Sequence, residues 1–288
     1  MKLDAECYPC MMSQAFRAAR LSGLKGAALR DTMRETAGFL REVKPTTSPP
    51  GAAVFLYDRI KEISGVEDPF HELKLKSNEK ALALLPRLME DAKNSPDILS
   101  FAMRAAVAGN IIDFGAFAAP VDLEENIQMV LENEAFIDHT EQLRTDLASA
   151  SSALIICDNA GEIVMDRLLC EVLLSLYPSL DLTAAVRGGP AINDATLEDA
   201  QKTGLDMVCP VITTGLAMAG IELDRCSPRF QETFHKADVI LAKGQGNFET
   251  MDGRRENIYF LFQVKCDCVS KALDAEKGAA VIWSLSQG

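Results

Sequence analysis

From Cys7 to about Leu147 the apolar residues recur at helical rather than alternating spacing. Met11 to Ala28, rich in Ala, Leu and Arg, reads as one helix, and Thr32 to Val43 as the next. Pro45, Pro49 and Pro50 then break the pattern, because proline cannot continue a helix. Ala52 to Ser64 resumes it, with apolar residues at Val54, Phe55, Ile60 and Ile63 in a helical rather than alternating spacing. Asp68-Pro69 marks a turn, Ser77 is placed to cap a helix running to Leu88, and Ser95-Pro96 opens another to about Ala108. Leu123 to Glu134 and Glu141 to Leu147 complete a mainly helical part, residues 1–147.

Beyond Ala150 the texture changes to short apolar runs separated by amphipathic stretches. Ala153–Cys157, Leu182–Val186, Met207–Val211, Val239–Ala242, Tyr259–Val264 and Ala279–Trp283 read as buried strands. Ile163–Ser175 and Ala195–Gly204 read as helices between them. Alternation of this kind predicts a mostly parallel sheet covered on both faces. Residues 148–288 are therefore expected to form a three-layer α/β/α Rossmann-like domain, with the helical part attached at its N-terminal side.

Composition narrows the function. With 42 acidic against 29 basic residues the net charge is −13, and no Lys/Arg block stands out. That excludes the electrostatic footprint of a nucleic-acid-binding protein and gives no attraction to an anionic membrane. No apolar stretch is long enough to span a bilayer, and no secretory signal is visible. Eight cysteines in 288 residues are too few for a disulfide scaffold, so reduced thiols in a cytoplasmic protein are expected. Oligomeric state is open.

In open parallel sheets, ligands bind beyond the C-terminal ends of the strands. Three of the expected strands end there in polar clusters. Cys157-Asp158-Asn159-Ala160-Gly161-Glu162 offers a carboxylate beside an amide oxygen, hard ligands suited to Mg²⁺ or Mn²⁺. An Asp-Asn helix cap is the competing reading. Arg187-Gly188-Gly189-Pro190-Ala191-Ile192-Asn193-Asp194 supplies a second carboxylate, itself open to a cap reading, and an Arg able to clamp a phosphate with both arms. Lys243-Gly244-Gln245-Gly246-Asn247-Phe248-Glu249 adds a point charge and two glycines whose N–H groups could approach an anion. Acid ligands, cations and a glycine loop on one edge fit metal-assisted phosphoryl chemistry. No G-x-G-x-x-G follows the strand at Ala153, which argues against a dinucleotide or S-adenosylmethionine site.

These segments, together with Pro190-x-Ile192-Asn193-Asp194-x-Thr196, resemble the three signatures of the domain-of-unknown-function 89 family, the damage-control phosphatases. Cys7-x-x-Cys10 and Ala108-Gly109-Asn110-Ile111-Ile112-Asp113-Phe114-Gly115 resemble its archaeal-type branch. The resemblance implies one divalent cation (Mn²⁺, Ni²⁺, Co²⁺ or Mg²⁺) held by Asp158, Asn159 and Asp194, with Lys243 on the substrate phosphate. Asp158, Asp194 and Lys243 are thus the expected catalytic residues. Arg187, Gly244, Gly246, Asn247, Asn110 and Asp113 are the expected substrate-binding set. The expected partner is a small phosphorylated metabolite. Asn110 and Asp113 lie in a Gly-bounded loop that either shapes substrate choice or simply ends a helix. Lys265-Cys266-Asp267-Cys268 departs from the Lys-Cys-Pro of relatives.

Cys7 and Cys10 could form a metal half-site completed by Cys266 and Cys268, a redox pair, or plain packing. His71, His139 and His235 show no ligand spacing. A metal-dependent phosphomonoester hydrolase is the leading reading. An S-adenosylmethionine-dependent methyltransferase and a non-catalytic phosphometabolite binder are the alternatives.

Overall fold

The computed structural model describes residues 1–109, 123–132, 136–254 and 256–285. Helices α1 (Cys7–Leu21), α2 (Gly26–Glu42), α3 (Pro49–Ser64), α4 (His71–Asn94), α5 (Ile98–Gly109) and α6 (Leu123–Glu132) come first. A short strand β1 (Phe136–Asp138) and α7 (Thr140–Ser149) follow. Strand and helix then alternate through β2 (Ser152–Ile156), α8 (Glu162–Leu176), β3 (Asp181–Val186), α9 (Leu197–Thr203) and β4 (Val211–Thr213). The chain closes with α10 (Pro228–Lys236), β5 (Val239–Lys243), α11 (Gln245–Met251), β6 (Ile258–Gln263), α12 (Asp267–Leu273) and β7 (Ala280–Ser284).

Among the described residues the strands form one sheet in the order β1-β7-β6-β5-β2-β3-β4. Every pairing is parallel except β6 with β7. Alternate residues of each strand serve opposite faces, as the two-residue period requires. Ile155, Leu182, Ala184 and Leu241 pack under α4, α5, α7 and α8. Leu154, Ile156, Ala185, Ile240 and Phe260 pack against Phe230 and Phe234 of α10, Phe248 of α11 and Val269 of α12. The result is the expected three-layer α/β/α sandwich.

The helical part is divided differently from its sequence pattern. Helices α1 to α3 enclose a small core of their own, built from Met11, Ala15, Ala18, Leu40, Leu56, Ile60 and the following Phe70. Helices α4 to α7 instead cover one face of the sheet, and β1, from the stretch read as helical, pairs with β7. The single helix expected over Met11–Ala28 is broken between Leu21 and Gly26, where Gly23 turns with a φ of +82°. The strand expected at Met207–Val211 begins only at Val211. Leu205–Met207 is a 3₁₀ turn, and Met207 is 85% exposed, so it has no sheet to pack on.

Leu56 is buried at the centre of the three-helix core. Leu56→Ala is expected to lower the unfolding free energy by about 2–5 kcal/mol through the cavity it leaves, read from the shift of the urea midpoint.

Candidate active site

The strand order reverses between β2 and β5: β3 and β4 lie to one side, β6 and β7 to the other. Such a switch point opens a crevice at the carboxyl ends of the strands. The loops after β2 and β3 meet there and are joined through the backbone. Ala195 N–H donates to the Asp158 carbonyl (2.7 Å), Ala160 N–H to that of Asn193 (2.8 Å), and Arg187 N–H to that of Ala195 (2.9 Å). Asn159 and Asp194 form an isolated antiparallel bridge. These bonds set Asp158, Asn159 and Asp194 side by side.

None of the three is a helix cap. Gly161 stands at the N-terminus of α8, with no side-chain cap. Helix α9 is capped by Thr196 in a reciprocal box with Asp199. The Asp158 carboxylate instead accepts from Asn159 Nδ2 (2.7 Å) and Arg187 Nη2 (3.2 Å). Asn159 Nδ2 also donates to Glu162 Oε2 (3.1 Å), which leaves the amide oxygen of Asn159 as its remaining ligand atom.

Several expected phosphate contacts are turned elsewhere. Arg187 is fully buried and does not line the pocket. Its Nε donates to Asp194 Oδ2 (2.6 Å) and its Nη1 to Asn247 Oδ1 (3.1 Å), so the fork grips the acidic pair from behind. Asn247 is buried too and spends its amide on the Lys243 carbonyl (2.6 Å). Lys243 uses its three N–H bonds on Glu162 Oε1 (2.6 Å), Asp166 Oδ1 (2.5 Å) and the Ala106 carbonyl (3.0 Å), away from the pocket. Gly244, at a φ of +80°, makes room for a carboxylate: a Cβ there would sit 1.9 Å from Asp158 Oδ2. Gly246 does line the pocket. Asn110 and Asp113 lie outside the described residues.

The pocket measures about 330 Å³, within the roughly 300–1,000 Å³ of small-molecule sites. Asp158, Asn159, Asn193 and Asp194 line one side, and Cys7, Cys10, Gln14 and Pro50 of the three-helix unit line another. Lys265 also lines it, just beyond β6, and its charge acts on Asp158. Lys265 follows the end of β6, a fourth strand end besides the three with polar clusters in the sequence. Ile192, two residues before Asp194, holds a φ of +50°, strained for a β-branched residue, and packs on the three-helix core.

The structure also brings the two chain ends together at this pocket. Cys7, Cys10, Cys266 and Cys268 line it, and the Cys268 thiol points to Glu6 Oε2 at 3.8 Å, just ahead of Cys7 in the chain. Among the described residues no three His, Cys, Asp or Glu side chains are gathered to hold a metal ion. A cation at the strand ends would therefore require the Asn159 amide oxygen beside the two carboxylates. The donor set fits such an ion: three hard oxygens, of which Asp158 is pushed well up by burial, with the charges of Asp194 and Glu162 adding to it. Arg187 and Lys265 oppose that rise.

Burial likewise pushes Asp166 up to about 6, against the pull of Lys243 and with the push of Glu162. Lys243→Met leaves both carboxylates without their cation and is expected to cost about 3–5 kcal/mol of stability. A carboxyl raised above its ordinary value adds most to stability below about pH 4 and loses it as pH rises through the folded value. The deficit of the variant is thus expected to be smaller at pH 5 than at pH 8, measured by urea unfolding at both.

Comparison with known proteins places this geometry in a family. The profile of the damage-control phosphatase ARMT1-like domain matches residues 3–281. A damage-control phosphatase of Pyrococcus horikoshii is 35% identical over 98% of this chain and 97% of its own. One from Archaeoglobus fulgidus is 31% identical over 98% of each. The crystal structure of a DUF89 family protein from P. horikoshii superposes with a TM-score of 0.87 at 35% identity, covering 99% of both chains. The chain belongs to the damage-control phosphatase ARMT1-like family, DUF89.

Proposed function

We propose that this protein is a divalent-metal-dependent phosphatase acting on phosphomonoesters of small metabolites, sugar phosphates among them. Relatives named damage-control phosphatases support phosphatase activity in general. The observation that carries the metal is a charge imbalance. Asp158, Glu162, Asp166 and Asp194 are buried, and among the described residues Arg187 and Lys243 are the buried cations that pair with them. With all six ionised, two negative charges remain in a low-dielectric site, the charge of one divalent cation.

Asp158, Asn159 and Asp194 are the residues to hold that ion. When bound, it supplies Lewis-acid polarisation of the phosphoryl oxygens and neutralises developing charge. Arg187 bridges the two carboxylates and keeps them close, and the Lys243–Glu162 pair keeps Asn159 in line. Lys265, in place of the expected Lys243, is a cation on the pocket wall for phosphate oxygens, whereas Lys277 on the same wall is paired with Asp267. Gly246 and Gln245 line the same wall.

The test is phosphate release from p-nitrophenyl phosphate and a panel of sugar phosphates and nucleotides with Mn²⁺, Co²⁺, Ni²⁺ or Mg²⁺. Release is expected to stop on chelation, return with metal, and fall to background in Asp158→Ala. Lys265→Ala is expected to raise KM more than it lowers kcat. Binding of these esters without release would make the protein a carrier, and full activity of Asp158→Ala would exclude the proposed centre.

A further inference from the structure

Both ligand-bearing loops are held from the same outside point, on helix α4. The turn after β2 reverses through Gly161, whose φ is +82°, and α8 begins there without a side-chain cap. The N–H of Gly161 donates instead to Asn78 Oδ1, 83 residues earlier in the chain, at 2.6 Å. The other end of the same amide, Asn78 Nδ2, donates to Asp199 Oδ1 at 2.9 Å.

Asp199 is the residue that closes the start of α9, five positions beyond Asp194. Its Oδ2 accepts from the Thr196 N–H and hydroxyl, both at 2.9 Å. Lys74, one helical turn before Asn78, lies 3.0 Å from Asp199 and 3.3 Å from Asp68. Lys74, Asn78 and Asp199 are all buried. A buried amide that donates at one end and accepts at the other cannot rotate or retreat without leaving a polar group unmatched.

We propose that Asn78 is a positioning residue for the metal-binding turn. It ties the Asp158–Gly161 loop to the Asp194–Thr196 loop through Asp199, so that α4 sets the separation of the ligands. The proposal rests on the metal-dependent reading above for its effect on binding, and on the hydrogen bonds alone for its effect on the turn. Asn78 does not line the pocket, so it acts on the ligands without touching substrate.

Exchanging the two side chains separates positioning from bulk packing. Asn78→Asp keeps an acceptor for Gly161 but sets two carboxylates against each other at position 199. Asn78→Asp with Asp199→Asn restores a donor between them and keeps the charge count beside Lys74.

The experiment measures Mn²⁺ affinity by calorimetry, kcat and KM for p-nitrophenyl phosphate, and hydrogen exchange of the peptide spanning 158–163. Asn78→Ala and Asn78→Asp are each expected to weaken Mn²⁺ binding about 10–100-fold, lower kcat more than they raise KM, and speed exchange of that peptide. The double exchange is expected to recover most of all three, and it is read against Asn78→Asp if Asn78→Ala does not fold. Unchanged exchange and affinity in the single variants, or a double variant no better than Asn78→Asp, would overturn the proposal. If the wild-type protein binds no Mn²⁺ and releases no phosphate, the metal-dependent function fails. The exchange rates still decide whether Asn78 holds the turn.

Discussion

The guanidinium of Arg187, buried between Asp158 and Asp194, is the contact around which the rest of the site is arranged. Two carboxylates so close in an apolar interior repel each other and resist ionisation. Burial alone would lower the hold of Arg187 on its proton, but Asp194 and Asp158 outweigh it and keep the cation charged. One positive charge between two negative ones is enough to fold the pair and not enough to neutralise it. A site prepared in this way keeps its two carboxylates in place and retains a negative charge between them.

The topology explains why such a cluster can exist there. At the switch between β2 and β5 the backbone diverges, and the loops after β2 and β3 are zipped by main-chain bonds. Side chains from separate strands thereby reach one point while the strands themselves stay in register. Gly244 completes the fit from the third strand, since any side chain would displace the Asp158 carboxylate. The three-helix unit then closes one side of the crevice, which would otherwise be a shallow groove.

Much of this was legible from residue order. Buried strands stood out as short apolar runs, and polar residues at their ends marked Asp158, Asn159 and Asp194. Direction was harder to read. Lys243 looked available to a phosphate, yet it has the same parity on β5 as Val239 and Leu241, which face α5 and α8. The period of the strand therefore sends its side chain beneath the helices, where Glu162 and Asp166 meet it. Arg187 shows charge in the sequence but not the two acids waiting behind it. Asn78 and the meeting of Cys7 with Cys268 depend on contacts between distant segments, for which local periodicity has no signal.

Ile192 gives this architecture a thermal consequence. Its left-handed backbone stores about 1–3 kcal/mol, and its apolar side chain is retained by the core of α1 to α3, two residues before Asp194. The smallest of the three cores among the described residues thus acts as the latch on a sprung loop. Lifting those helices would let Ile192 relax and Asp194 drift while every strand of the sheet stayed paired. On heating, inactivation should run ahead of loss of secondary structure, with the gap between the two set by a core that reaches the loop through Ile192.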